Sequence, residues 1–389
     1  MQSRMRYLDG IRGVMSIGVI LSHFAIIFYP ALILIDHQSG NALTKAYASS
    51  PFSIVTNGNI AVQYFMVLTG FLVGTSVFHN GKTSWKNVLV KAYRRYVRLL
   101  PTVLLSILFT YALMSTGLMF QGQSAQYVYN TELLNHSNAF APSLPGALYD
   151  GFIDTFINGS QYNAPLWAIK YELWGYLIVL VCASILREKR YRRLVYILVG
   201  LFLSIVTTSF ISFIFGLFIA DLYVYRERET TYLSRYYSGL LYARFVPGAC
   251  LAIGLYFASV PNDYAGLHGW LSILNAWIKP STIRGLGMAI AFFGMLENKW
   301  IHKFFEKRAL TYLGDISYVT YAFQWPVMLS AMQYFFLEFH RQGMAYEQAA
   351  NGAVLLTLPI IFVISIVVSK ILSTRLPACL KRKGKQADA

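Results

Sequence analysis

The sequence predicts an all-α, polytopic membrane protein of about ten transmembrane helices with both termini on the cytoplasmic side. Three observations carry that prediction. Hydrophobic residues make up 56% of the chain and charged residues only 13%, about half the charge of a soluble domain. Ten apolar segments recur along the chain, most of them long enough to cross a hydrocarbon core. The positive charge is also one-sided: 28 of the 33 Lys and Arg lie on the side of the termini, four on the other, and Lys170 within a span. That bias marks the terminal side as cytoplasmic.

The first segment, 11–33, runs on into Phe28, Tyr29 and Pro30 and lacks a small-residue cleavage site, so it reads as a retained membrane helix. Segment 58–79 holds Gly70 and Gly74, a spacing of small residues that admits a neighbouring helix closely. Segment 99–120 is entered through the basic run 82–98, just before Pro101. Segment 165–186 carries Lys170 and Glu172 about 200° apart on a helix, which excludes a simple intrahelical ion pair. Lys170 is expected to snorkel to the outer interface and Glu172 to find its partner elsewhere.

Segments 194–208 and 209–225 are each short, and only Thr207, Thr208 and Ser209 signal a turn between them. Segments 245–260 and 282–298 follow. Segment 312–336 contains Pro326, which is expected to kink or interrupt it near Tyr318, Tyr321 and Gln324. Segment 351–372 is the last. Residues 1–375 thus read as one transmembrane domain, and 376–389, with Lys381-Arg382-Lys383-Gly384-Lys385, as a basic cytoplasmic tail.

The net charge of +16 needs no nucleic acid to explain it. Its clusters, at 82–98, 187–193, 226–244, 299–308 and the tail, all fall on the cytoplasmic side, where they orient helices and meet anionic membrane lipids. Cys182, Cys250 and Cys379 are scattered in or beside apolar stretches, which argues against disulfides or a metal site. The longest outer connection, 121–164, has no Lys or Arg and is rich in Asn, Ser, Gly and Tyr, including Tyr127, Tyr129, Tyr149 and Tyr162. It reads either as a lid or sugar-contacting surface or as a tolerated connector.

The chemistry concentrates in the first helix. Arg12 and His23 are eleven residues apart, three full turns plus roughly 20°, so both leave one face about 16 Å apart. A buried ionisable group is costly in lipid, and an imidazole is suited to general base catalysis. The plainer reading is a packing histidine satisfied by a neighbouring helix; the aligned Arg12 and a candidate carboxylate favour the base. With the helix starting near residue 11, His23 lies about 18 Å inward, and Glu172 about 10 Å below the outer edge, so the two share a level. A carboxylate there would orient the imidazole. Arg12, with Arg94, Arg95 and Arg98 at helical spacings of three and four, suits a phosphate or pyrophosphate arriving from the cytosol. Positive-inside bias alone would also produce such a cluster.

Five stretches together resemble the membrane-bound acyltransferase 3 family. They are Tyr7-Leu8-Asp9-Gly10-Ile11-Arg12-Gly13 with the Arg12 and His23 pair, Val62-Gln63-Tyr64-Phe65-Met66-Val67-Leu68-Thr69-Gly70-Phe71-Leu72, Arg94-Arg95-Tyr96-Val97-Arg98-Leu99-Leu100-Pro101, Trp167-Ala168-Ile169-Lys170-Tyr171-Glu172, and Leu313-Gly314-Asp315-Ile316-Ser317-Tyr318. Two positions depart from the family pattern: Thr69 stands where Ser is usual, and Gln324 where a His often precedes Trp-Pro. The second leaves His23 as the one buried imidazole.

The resemblance implies transfer of an acyl group, commonly acetyl from acetyl-CoA or another acyl-CoA, to a hydroxyl of a glycan or lipid-linked sugar. The acyl-CoA is a donor substrate, and no resident cofactor is expected. The setting implied is a multi-pass protein of a bacterial inner membrane. His23 and Glu172 would be catalytic; Arg12, Arg94, Arg95 and Arg98 would bind the donor. Asp9, Thr69, Trp167, Tyr171, Tyr318 and Gln324 are candidates for the pocket or the acceptor. Direct transfer and a covalent relay through His23 both fit. No soluble domain is expected after the last helix, so transfer would finish within the membrane domain. The competing class is a proton-coupled secondary transporter using Arg12, His23, Lys170 and Glu172, against which the lack of a visible repeat weighs.

Overall fold

A computed structural model describes residues 5–79, 84–206, 210–237 and 240–375. The basic tail, Cys379 and the turn at 207–209 lie outside the described residues, as do the side chains of the basic cluster at 226–244. Among the described residues every regular element is helical. The longer helices among the described residues are α1 (Arg6–Phe28), α2 (Gly58–His79), α3 (Trp85–Ser115), α4 (Trp167–Leu186), α5 (Arg192–Val206), α6 (Ile211–Tyr237), α7 (Leu240–Ala258), α8 (Pro280–Glu297), α9 (Arg308–Val327) and α10 (Tyr346–Arg375).

Each predicted segment falls on one of these helices, but length and composition alone mark only five described helices as able to cross a bilayer: α1, α2, α3, α4 with its preceding turn, and α10. Shorter apolar stretches lie in α6 and α7. Boundaries also shift. The first helix starts at Arg6 rather than 11 and ends at Phe28, and α3 starts fourteen residues early because the Arg- and Lys-rich entry is itself helical. At 31 residues, α3 is about 46 Å long, well beyond a hydrocarbon core of about 30 Å.

The chain forms two compact units. The first takes the described residues of Met1–Ser39, Tyr96–Lys170 and Arg308–Ala389; the second takes those of Gly40–Arg95 and Tyr171–Lys307. In the first unit α1 lies along α9, and two glycines make the crossing. A Cβ on Gly13 would stand 2.6 Å from the nitrogen of Gly314, and one on Gly314 would strike the Asp9 backbone. Above the crossing, Ile20, Phe24, Ile27, Phe28, Trp325, Met328 and Phe336 form the core that α10 completes. Pro326 does not interrupt its helix. The backbone widens into a π-helical turn at Met328–Met332 and continues as a helix through Gln333–Arg341, one of the ways a chain absorbs a mid-helix proline.

The connection 121–164 is folded rather than loose. The buried Asp150 carboxylate accepts from Thr155 Oγ1 (2.9 Å), Ser160 Oγ (2.8 Å) and the N–H groups of Gln161 (3.1 Å) and Tyr162 (3.0 Å). Tyr127 packs on His340 and Tyr129 on Tyr346 at ring separations of 4.5 and 4.4 Å, and the Tyr162 hydroxyl bonds the Ser143 carbonyl. Tyr149 stays exposed.

In the second unit the expected close approach at Gly70 and Gly74 is made by α6. Gly70 meets the backbone of Phe213 and Gly216, and Gly74 makes room for the side chains of Leu217 and Ala220, so the small residues let the two helices approach closely. Within the 187–193 cluster, Arg192 and Arg193 clamp the fully buried Asp221, and Arg192 also lies over the Tyr225 ring. Cys182 and Cys250 are free thiols.

Candidate active site

His23 faces α9 in the first unit, where its ring meets Trp325 edge-on at 5.2 Å and 65°, and the Gln324 side chain comes within interaction range. Gln324 is fully buried and Trp325 nearly so. Three atoms here are buried without a hydrogen-bond partner: His23 Nδ1, Gln324 Oε1 and Trp325 Nε1. Buried polar atoms are almost always satisfied. The three atoms sit on two consecutive residues and on the ring beside them, with the Gln324 side chain itself an interaction partner of His23.

Proline chemistry fixes this place. Pro326 has no N–H to give to the carbonyl of Ala322, four residues earlier, and Asn163 Nδ2 takes that acceptor at 2.7 Å instead. Asn163 is itself fully buried. The start of the same connection is tied down by the Phe120 N–H on the Leu329 carbonyl (3.1 Å) and by Ser330 Oγ on the Leu118 carbonyl (2.6 Å). The chain around Pro326 is thus tied from Asn163 at Ala322, before the proline, and from Leu118 and Phe120 at the π-helical turn after it.

Because α1 begins at Arg6, Arg12 sits nearly two turns inside the helix rather than at its end. Its Nη2 donates to the Gly314 carbonyl at 2.8 Å, with Nε at 3.3 Å, and Asp9 lies 3.2 Å away. Asp9 therefore belongs to Arg12, and both brace the α1–α9 crossing while the Arg12 side chain keeps a third of its surface exposed. Tyr318 donates to the Leu99 carbonyl at 3.0 Å, and Tyr321 bonds the Pro165 carbonyl.

One turn beyond His23 on α1, Ile26 lines an open cavity of about 490 Å³ together with Asn130, Glu132, His136, Asn138 and Gln161. Apart from Ile26 the lining belongs to the 121–164 connection, where Leu133 and Ala164 add apolar surface to the polar side chains.

Glu172 has partners inside the second unit. Its Oε1 accepts from Thr69 Oγ1 at 2.8 Å and forms an ion pair with Arg95, which also lies over the Tyr176 ring at 5.1 Å. The structure brings Glu172, Thr69 and Arg95, three of the expected site residues, together in one cluster. Tyr171 packs on Phe210 at 5.2 Å. Trp167 is exposed, with Gly159 at φ +105° packed on its backbone. Lys170 reaches the Asn158 carbonyl at 3.1 Å in an exposed bond. Arg98 is exposed and Arg94 half-buried on α3.

Asn163 and Trp325 are the site residues that sequence reasoning missed. The proline at 326 signals an orphaned carbonyl at 322, but nothing in the sequence says which donor meets it.

Comparison with curated proteins and with solved structures gives no match. A family model described as an acyltransferase domain matches residues 5–374. That match runs from the start of α1 almost to the end of α10 and takes in every residue of the site above: the chain belongs to the acyltransferase 3 family of membrane acyltransferases.

Proposed function

We propose that the protein is an O-acyltransferase of a bacterial inner membrane, moving an acyl group, acetyl first among candidates, from acyl-CoA to a hydroxyl of an envelope glycan or lipid-linked sugar. The observation that carries this reading is the trio of unsatisfied buried atoms at His23, Gln324 and Trp325. An alcohol offers one donor, and a thioester carbonyl offers an acceptor. The site is their complement: an imidazole nitrogen and an amide oxygen to accept, and an indole N–H to donate.

In this reading His23 takes the acceptor's proton as its oxygen attacks the thioester carbonyl, and the Trp325 N–H meets the developing oxyanion. The carbon–sulfur bond then breaks, the imidazolium returns the proton to the leaving thiolate, and an ester and free CoA result. One imidazole serves both proton transfers, which suits a chain with Gln324 before Trp325 and Pro326. Arg12, about 16 Å along the same face, is assigned to the phosphates of the donor, with exposed Arg98 as a second cation. The cavity beside Ile26, with the amides of Asn130, Asn138 and Gln161, is assigned to the acceptor sugar.

Acceptor-dependent CoA release by the purified chain tests the proposal. His23→Ala is expected to abolish release at unchanged protein level, and Arg12→Ala to raise the KM for acyl-CoA. Cells with and without the protein should differ in base-labile esters on their surface glycans. Normal transfer by the His23 variant would overturn the assignment, and uptake of labelled substrate into vesicles without CoA would point to a transporter.

A further inference from the structure

An apolar cavity of about 360 Å³ lies in the second unit. It is lined by α5 from Tyr196 to Ser204, by Ile214, Phe215 and Phe218 of α6, and by Leu286 of α8. The volume is within the roughly 300–1,000 Å³ of small-ligand sites, and the α5 lining runs for about 12 Å. At Gly200 a Cβ would meet only Ile214 and Ile211, at 3.6 and 3.9 Å, so its missing side chain leaves the floor open.

The cavity also has a polar corner. Lys279, exposed, is the N-cap residue of α8, with Pro280 at the first helical position. Lys279 makes no ion pair among the described residues, and Thr282 Oγ1 is buried without a partner. Both line the cavity, as does Trp277, which is 87% exposed. A cation, the positive end of a helix and a hydroxyl converge where the apolar lining ends. A Trp at that level is typical of a membrane surface. The pattern complements an amphiphile with an anionic phosphate head and a hydrocarbon tail.

We infer that this groove binds an anionic glycerophospholipid, its phosphate at Lys279 and Thr282 and one acyl chain along α5 and α6. The full-length protein is to be irradiated with phosphatidylglycerol bearing a photoreactive group in an acyl chain, and the labelled peptides mapped. Labelling is expected on 196–204, 211–218 and 277–286, displaced by unlabelled phosphatidylglycerol but not by phosphatidylcholine. Lys279→Glu should lower the yield about fivefold or more, since one cation near a membrane surface contributes about 1 kcal/mol. Gly200→Phe should block labelling by filling the floor; Leu201→Trp serves the same end from the exposed rim should the first variant fail to fold. Equal displacement by both lipids, labelling spread over the other apolar helices, or indifference to Lys279→Glu would overturn the inference.

Discussion

Asn163 donates to the carbonyl of Ala322 at 2.7 Å, the acceptor that Pro326 cannot satisfy. A buried amide thus stands in for a missing backbone N–H, and the consecutive pair Gln324 and Trp325 lies between the two residues concerned. Asn163→Ala should leave that carbonyl buried and unpaired, at a cost of about 1–3 kcal/mol. Pro326→Ala restores the helical donor, so the double variant should be more stable than the sum of the singles predicts. Thermal unfolding of all four proteins in one detergent measures the cycle, and additive effects would show the two residues to be independent.

Trp325→Phe separates packing from chemistry. The ring still fills the space beside His23, while the orphaned N–H is gone. Stability should hold or rise slightly, because a buried donor without a partner costs free energy. The turnover number should fall about 100- to 1,000-fold, the usual cost of losing one oxyanion donor, with the KM for acyl-CoA little changed. Unaltered turnover would remove Trp325 from the oxyanion role.

The helices were legible because apolar length and helical spacing are local properties. So was the close approach at Gly70 and Gly74, since a small-residue pattern has one packing use. Partner choice was not legible. Glu172 and Arg95 are separated by 77 positions and Asn163 and Ala322 by 159, and no periodicity encodes which helix faces which. The depth argument for His23 and Glu172 assumed a helix starting at residue 11; the five extra residues from Arg6 place His23 about 26 Å along α1. Arg12 stands out in the sequence by its face and charge, but its bond to Gly314 depends on a crossing that only the fold creates.

The commitment of Glu172 to Arg95 and Thr69 can be tested apart from catalysis. Both charged side chains are 19% exposed, so the loss on breaking the pair should fall below the 3–5 kcal/mol of a fully buried one, at about 1–3 kcal/mol. Glu172→Gln keeps the acceptor for Thr69 and removes the counter-charge of Arg95, and Arg95→Met leaves the carboxylate with Thr69 but no cation from this pair. Each single should unfold earlier than the double relative to additivity, while transfer per folded molecule in Glu172→Gln stays near that of the parent. A large fall in turnover at unchanged stability would place Glu172 in the catalytic set.

His268 gives the second unit a pH dependence. Against the expectation of a single buried imidazole at His23, it lies fully buried in the 3₁₀ segment Gly266–Leu274, stacked on Tyr256 at 4.6 Å, with Nε2 on the Tyr256 carbonyl at 3.0 Å. Burial lowers its pKa, against the opposing pull of that hydrogen bond. The unfolded chain therefore binds a proton that the folded one refuses, below the ordinary value of about 6.5. The contribution of His268 is complete above that pH and declines as the medium is acidified towards the lowered folded value. Unfolding temperature should thus drop between pH 7 and 5, and His268→Gln should flatten the drop while keeping a donor for Tyr256. An identical pH profile in the variant would assign the acid sensitivity to other groups.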